Sequence, residues 1–164
     1  MKIFTDASVS GKVGGIACVI TDSNDDIILS RKKPILCNDS NFAELQAILF
    51  ALEVMPDTRE RITIVSDSQY ALCCIVYNRC RDFEAKTLSM INYHLSTKKW
   101  NAVWTKGHKN DGTSITLFNR LADNMARRAR KDYMILKKAR KIKKITQQKR
   151  GTRNNPFDRY KKKW

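Results

Sequence analysis

Three short runs of apolar and β-branched residues, at 2–5, 16–20 (IACVI) and 27–29, follow one another before any helical periodicity begins. Ser10-Gly11 and Gly14-Gly15 punctuate the first connection, and the polar stretch from Asp22 to Asp26 punctuates the second. Runs of this length and composition pair as strands joined by tight turns. From Asn41 to Met55 the period changes: Phe42, Leu45, Ile48, Leu49 and Leu52 recur at helical spacing, and Pro56-Asp57 ends the pattern. A fourth strand, Ile62-Thr63-Ile64-Val65, ends at Ser66-Asp67. Two helical stretches follow, one holding Tyr70, Ala71, Cys74, Ile75 and Tyr77 and the other Leu88, Ile91 and Leu95, then a fifth strand at Ala102-Val103-Trp104. A polar loop from Lys106 to Ser114 leads into a last helix. Three strands followed by alternating elements predict an α/β fold, a mixed five-stranded sheet with helices on both faces.

The chain of 164 residues suits one hydrophobic core with a tail. Charge places the tail. Residues 1–126 carry 15 Lys and Arg against 14 Asp and Glu, whereas residues 127–164 carry 17 against 2. We therefore expect a near-neutral domain over residues 1–130 and a basic C-terminal helical extension over residues 131–164, able to bind an anion such as nucleic acid. No run approaches the roughly eighteen apolar residues of a membrane span. An acidic residue at position 6, with no small-residue cleavage site after it, is unlike a secretory leader and points to a cytoplasmic protein, nucleoid-associated or, if viral, in the host cytoplasm. Five cysteines, odd in number and without a C-x-x-C pair, accompany only two histidines, so reduced, buried thiols are expected rather than a zinc site.

Four carboxylates fall where a side chain can be aimed: Asp6 after the first strand, Glu44 in the first turn of the first helix, Asp67 at the end of the fourth strand, and Asp123 early in the last helix. Converging oxygen ligands without thiol or imidazole suit a hard cation such as Mg²⁺ or Mn²⁺, and two such ions roughly 4 Å apart serve phosphodiester cleavage. Each acid also has an ordinary structural role open to it. Asp6 can form a turn before Gly11, Asn41-x-x-Glu44 is a capping-box pattern, Asp67 can cap a helix starting at Ser68, and Asp123 can pair with Arg127 at i+4.

The segments IFTDAS, GGIACVI, NFAELQAILFALE, ITIVSDSQYAL, VWTKGH and NRLADNMARRA, in this order over about residues 1–130, resemble the successive motifs of the type 1 ribonuclease H family. The resemblance implies a ribonuclease H-like fold and an endoribonuclease that hydrolyses the RNA strand of RNA–DNA hybrids with two Mg²⁺ ions, Mn²⁺ being a substitute, leaving 5′-phosphate and 3′-hydroxyl ends. It implies that Asp6, Glu44, Asp67 and Asp123 bind the metal and that His108 is the family's mobile histidine, shuttling protons or helping product leave. It also assigns substrate contacts to Asn41 and Gln69 and a place beside the metal environment to Asn119. The 2′-hydroxyl distinguishes RNA from DNA, so amide donors beside the acids fit the chemistry.

The sequence departs from the family pattern in three places. Asp6-Ala7-Ser8 replaces the more common glycine after the aspartate, the stretch from His108 to Asp123 is long, and the interval between Asp67 and Trp104 is too short for the basic protrusion with which bacterial members grip the DNA strand. The basic extension is expected to take over that grip. Ala122, Met125, Ala126, Ala129, Tyr133 and Leu136 form a helical stripe that Ile142 and Ile145 extend, and after Gly151 basic residues interleave with Phe157, Tyr160 and Trp164. Such a helix could instead lie on an anionic membrane. The alternative functions are an integrase- or transposase-like nuclease of the same fold, or a nucleic-acid-binding module with an inactive nuclease site. Besides the hybrid itself, the expected partners include replication or reverse-transcription machinery.

Overall fold

The computed structural model describes residues 1–107 and 111–153, with side chains described through residue 147. Five strands form one sheet: β1 (Lys2–Ser10), β2 (Val13–Thr21), β3 (Ile27–Ile35), β4 (Ile62–Ser66) and β5 (Trp100–Trp104), in the order β3-β2-β1-β4-β5. The first three are an antiparallel meander, and β4 and β5 join β1 in parallel, so the sheet is mixed as expected. The helices are α1 (Ser40–Val54), α2 (Gln69–Tyr77), α3 (Ala85–Leu95) and α4 (Ser114–Arg153), with a 3-10 turn at Asp82–Glu84.

The first three strands run further than the apolar runs that betray them. β1 continues through Asp6 to Ser10, so Asp6 lies inside the strand, opposite Ala17 of β2, rather than after it. β3 carries Ser30, Arg31, Lys32 and Lys33 in register with β2 because it is the edge strand and its outward side chains meet water. Pro34 is tolerated there because an edge strand has an unpaired side. Gly11, at φ +60, makes the β1–β2 turn. Gly14 and Gly15, expected in that connection, are in β2, and Gly15 has a different task. A β-carbon on it would stand 2.6 Å from the Arg130 nitrogen of α4, so its bare backbone is what lets α4 lie directly on the sheet.

Alternation along the strands divides the core in two. Ile3, Ile16, Cys18, Ile20, Ile62 and Ile64 face α1, α2 and α3, whose Leu45, Ile48, Leu52, Leu72, Ile75, Leu88 and Ile91 fill the larger cluster. Phe4, Val19 and Val65 point the other way, onto Phe118 and Ala122 of α4, with the Phe4 and Phe118 rings 5.3 Å apart. Helices thus cover both faces.

α1 is apolar nearly all round, as a helix enclosed by its own domain must be. Its N-cap is Asp39, whose Oδ1 accepts from the Phe42 backbone N–H at 2.9 Å, and it stops at Met55 because Pro56 cannot continue it. Ser68 caps α2, its hydroxyl accepting from the Ala71 N–H, which leaves the Asp67 carboxylate outside the helix end. Of the five cysteines none is in a disulfide; Cys18, Cys37 and Cys74 are buried as expected, whereas Cys73 is exposed on the outer side of α2.

The chain forms two units, Met1–Lys131 and Asp132–Trp164. In the second, the described backbone is helical to Arg153, and Ile135, Leu136, Ile142 and Ile145 are exposed. Among the described residues no helix is long and apolar enough to cross a membrane.

Candidate active site

β1 and β4 pair only from Lys2↔Thr63 to Phe4↔Val65, after which β4 ends and β1 runs on. A crevice opens beyond the carboxyl ends of parallel strands where neighbours part, and acids at that point face one another across it. Asp6, two residues past the last pair, is 5% exposed, and Asp67 stands equally far past that pair on the other strand. Glu44, the fifth residue of α1 and so one turn further in than the sequence suggests, reaches the same place, its Oε1 accepting from the Ala7 backbone N–H at 3.2 Å. One carboxylate oxygen from each of Asp6, Glu44 and Asp67 lies within 4.8 Å of the others.

Asp123 projects from α4 into the same cleft, a cavity of about 410 Å³ whose lining includes all four acids. It stands ten residues into the observed helix rather than early in it, because α4 begins at Ser114. Its Oδ1 accepts from Arg127 Nε at 2.6 Å, so the i+4 ion pair forms while the carboxylate still lines the cleft.

Burial, followed by the negative charges of Asp67 and Asp123, pushes the Asp6 carboxyl from 3.8 up to about 8, against the opposing pull of the Ala7 N–H and Arg127. Burial, and then the charges of Asp6 and Asp67, holds Glu44 well above the ordinary carboxylate range. Acids so placed need a cation in order to ionise together. Glu44 Oε2 is buried with no hydrogen-bond partner among the described residues, an orphan acceptor that a bound cation would satisfy. The donors are all carboxylate oxygens, which suits a hard divalent ion. On both counts the cluster fits such an ion.

Asp67 is positioned from β5. The Trp104 indole Nε1 donates to the Asp67 carbonyl at 3.0 Å, the Thr105 N–H donates to the Ser66 carbonyl at 3.1 Å, and Gly107 packs against the Asp67 carboxylate. The other expected residues are placed differently. Asn41 is exposed as the second residue of α1, Gln69 is exposed as the first of α2, and Asn119 is buried on α4 with its Oδ1 unpartnered among the described residues; none of the three lines the cleft. His108 lies outside the described residues. The cleft wall also contains Arg127, Arg130 and Lys131, which the sequence motifs do not assign to it. Their spacing from Asp123, i+4, i+7 and i+8, is the signal that marks them as one helix face.

A five-stranded mixed sheet with an acid cluster at the parting of its parallel strands defines a hydrolase of the ribonuclease H type. The sequence matches the RNase H family over residues 1–131, and the chain belongs to that family. Its fold is shared with solved structures of low sequence identity. The N-terminal RNase H domain of rv2228c from Mycobacterium tuberculosis, solved as a fusion with maltose-binding protein, is 16% identical with a TM-score of 0.68, over 80% of this chain and 93% of that one. RNase H1 of the archaeon Halobacterium salinarum is 18% identical with a TM-score of 0.67, over 80% and 97%. LC11-RNase H1, isolated from compost by a metagenomic approach and solved in complex with an RNA/DNA hybrid, is 20% identical with a TM-score of 0.66, over 81% and 98%. No match was found among curated proteins.

Proposed function

We propose that this protein is an endoribonuclease that hydrolyses the RNA strand of RNA–DNA hybrids with two Mg²⁺ ions, for which Mn²⁺ can substitute, leaving 5′-phosphate and 3′-hydroxyl ends. The convergence of Asp6, Glu44 and Asp67 within 4.8 Å, in a cleft that Asp123 also lines, carries the reading. Family membership and the hybrid bound to LC11-RNase H1 support the choice of substrate. The four acids would hold the ions. When bound, divalent ions activate a water and neutralise charge building on the phosphate and leaving oxygen. In the reaction water's oxygen adds to phosphorus, the bond to the 3′ oxygen breaks, and that oxygen takes up a proton.

The protein's own groups divide the remaining work. Ala7 N–H fixes Glu44, and Trp104 fixes the main chain of Asp67, so both carboxylates meet the substrate pre-oriented. In our reading His108, an imidazole of the type that titrates near neutrality, moves a proton at the departing oxygen or speeds product release. Asn41 and Gln69, exposed at the starts of the helices next to Glu44 and Asp67, offer amides to the hybrid's backbone and 2′-hydroxyls, and Asn119 supports the Asp123 side of the cleft. The basic extension retains nucleic acid electrostatically, 14 of the residues from 131 onward being Lys or Arg.

The test is incubation of the full chain with Mg²⁺ and end-labelled RNA–DNA hybrid, duplex DNA, duplex RNA and single strands. Cleavage confined to the RNA of the hybrid is expected. Equal cutting of duplex DNA, or no cutting of hybrid, would overturn the assignment.

A further inference from the structure

We propose that Arg127, Arg130 and Lys131 form a phosphate subsite on the α4 wall of the acidic cleft, one that grips the nucleic-acid backbone beside the bond to be cut. The inference rests on the nuclease reading above and names how that site holds its substrate.

The cleft has two kinds of lining. Three carboxylates converge in it, that of Asp123 also lines it, and three cations line it from α4. Positions 123, 127, 130 and 131 fall on one stripe of the helix, so Asp123 and the three cations share a face. That face is brought over the cleft by Gly15, because any side chain there would push against the α4 backbone at Ala126 and Arg130. The arrangement therefore follows from the packing of α4 on the sheet.

A phosphodiester approaching four carboxylates meets net repulsion from every acid charge not neutralised by a bound ion. Cations on the adjoining wall offset that repulsion and can hold a neighbouring phosphate of the same strand. Arg127 already serves the acids, through its 2.6 Å bond to Asp123 and its lowering influence on Asp6. Arg130 and Lys131 form no ion pair among the described residues, although they stand in a cleft dominated by carboxylates. Arg130 Nε is buried without a hydrogen-bond partner among those residues, a donor desolvated in advance. A planar guanidinium beside an ammonium matches a phosphate's several acceptor oxygens, and the recognition is of backbone rather than base.

The experiment uses the full chain and fluorescently labelled RNA–DNA hybrid, with duplex DNA of equal length as the second probe, in Ca²⁺ at a series of salt concentrations. The Arg130→Ala/Lys131→Ala variant should bind hybrid about ten-fold more weakly, with a log–log salt slope shallower by about 0.7–0.9 for each phosphate no longer neutralised. Lys131→Ala alone, an exposed position whose substitution leaves the fold intact, should reduce the slope by the equivalent of about one phosphate, and Lys131→Arg should restore it. Mn²⁺ affinity, read by electron paramagnetic resonance, should be unchanged, and in Mg²⁺ the loss should appear in KM with kcat nearly constant. Unchanged affinity and slope in both alanine variants, in a protein that still cuts hybrid, would overturn the subsite and leave the nuclease reading standing. Equal losses on hybrid and duplex DNA, in a protein that cuts neither, would support the subsite and overturn the hybrid assignment.

Discussion

Gly107 and Asp67 are packed so closely that a β-carbon at position 107 would stand 2.5 Å from Asp67 Oδ2. With Trp104, the last residue of β5, holding the Asp67 carbonyl, the end of β5 and the segment after it set both the main chain and the carboxylate of one acid of the cluster. Gly107→Ala should keep the fold, because the atom in its way is the end of a side chain that can rotate, but the carboxylate would turn from its place among Asp6 and Glu44. A misplacement of about 1 Å near the reacting atoms costs up to about a hundred-fold. Steady-state kinetics should therefore show kcat lower by roughly ten- to a hundred-fold, at near-normal Tm; an unchanged kcat would remove Gly107 from any positioning role.

The acids also predict a pH dependence in protein stripped of divalent ions. Asp6 is raised from 3.8 to about 8, and Glu44 moves in the same direction. Between about pH 4 and about pH 8 the folded state holds protons that the unfolded chain has released, so unfolding free energy falls as pH rises through that window. A divalent ion displaces those protons and reverses the penalty. Calorimetry should show Tm of the metal-free protein declining towards pH 8, and Mn²⁺ raising Tm more at the upper end of the window than at the lower. A Mn²⁺ effect independent of pH would contradict the arrangement.

Away from the cleft, Arg81 ties the segment after α2 to the start of α1. It forms a bidentate pair with the cap residue Asp39, at 2.7 and 3.0 Å, and a short contact with Glu84, whose side chain is fully buried and also accepts from the Tyr70 hydroxyl. The Arg81 guanidinium further lies 4.5 Å from the Phe83 ring centroid. Removing one partner of a buried, hydrogen-bonded charge leaves the other uncompensated. Arg81→Met should lower Tm by on the order of 10 °C, whereas a loss of a degree or less in thermal melts would show that Glu84 is solvated in some other way.

The four acids are legible because each stands in a stretch whose neighbours define its element, and the order of those stretches resembles a known family. Local signals fix less than that. The run Ser30 to Lys33 has no apolar alternation, since an edge strand answers to water on its outer side, so the apolar run at 27–29 marks only the beginning of β3. Gly14-Gly15 looks like a turn because its real constraint, the packing of α4, lies more than a hundred residues away in sequence. Asn41 has the pattern of a cap, but α1 already begins at Ser40 and Asp39, two residues earlier, takes that role, drawn also by Arg81 from beyond α2. The cations on the cleft wall depend on the rotational setting of α4 on the sheet, which periodicity gives only once Asp123 is known to face inward.

The basic extension makes a separate prediction. Deleting residues 137–164 removes most of the excess charge while leaving every cleft residue in place. Hybrid KM or Kd should rise, and the log–log salt slope should become shallower by about 0.7–0.9 for each phosphate that the extension neutralises. Fluorescence titration of truncated and full-length protein decides this; identical affinity and slope would assign the extension to something other than substrate retention.

Asp67 is central to the cleft: its carboxylate meets those of Asp6 and Glu44, and its place is set by β4, by the end of β5 and by Gly107. Asp67→Asn keeps the side chain's shape and removes one negative charge from the cluster. The most direct measurement is the rate of RNA cleavage in labelled hybrid with Mg²⁺ by wild type and Asp67→Asn, with circular dichroism confirming that both are folded. The variant should be folded and slower by orders of magnitude. A folded Asp67→Asn variant cutting hybrid at the wild-type rate would contradict the proposed role of Asp67 in holding the ions.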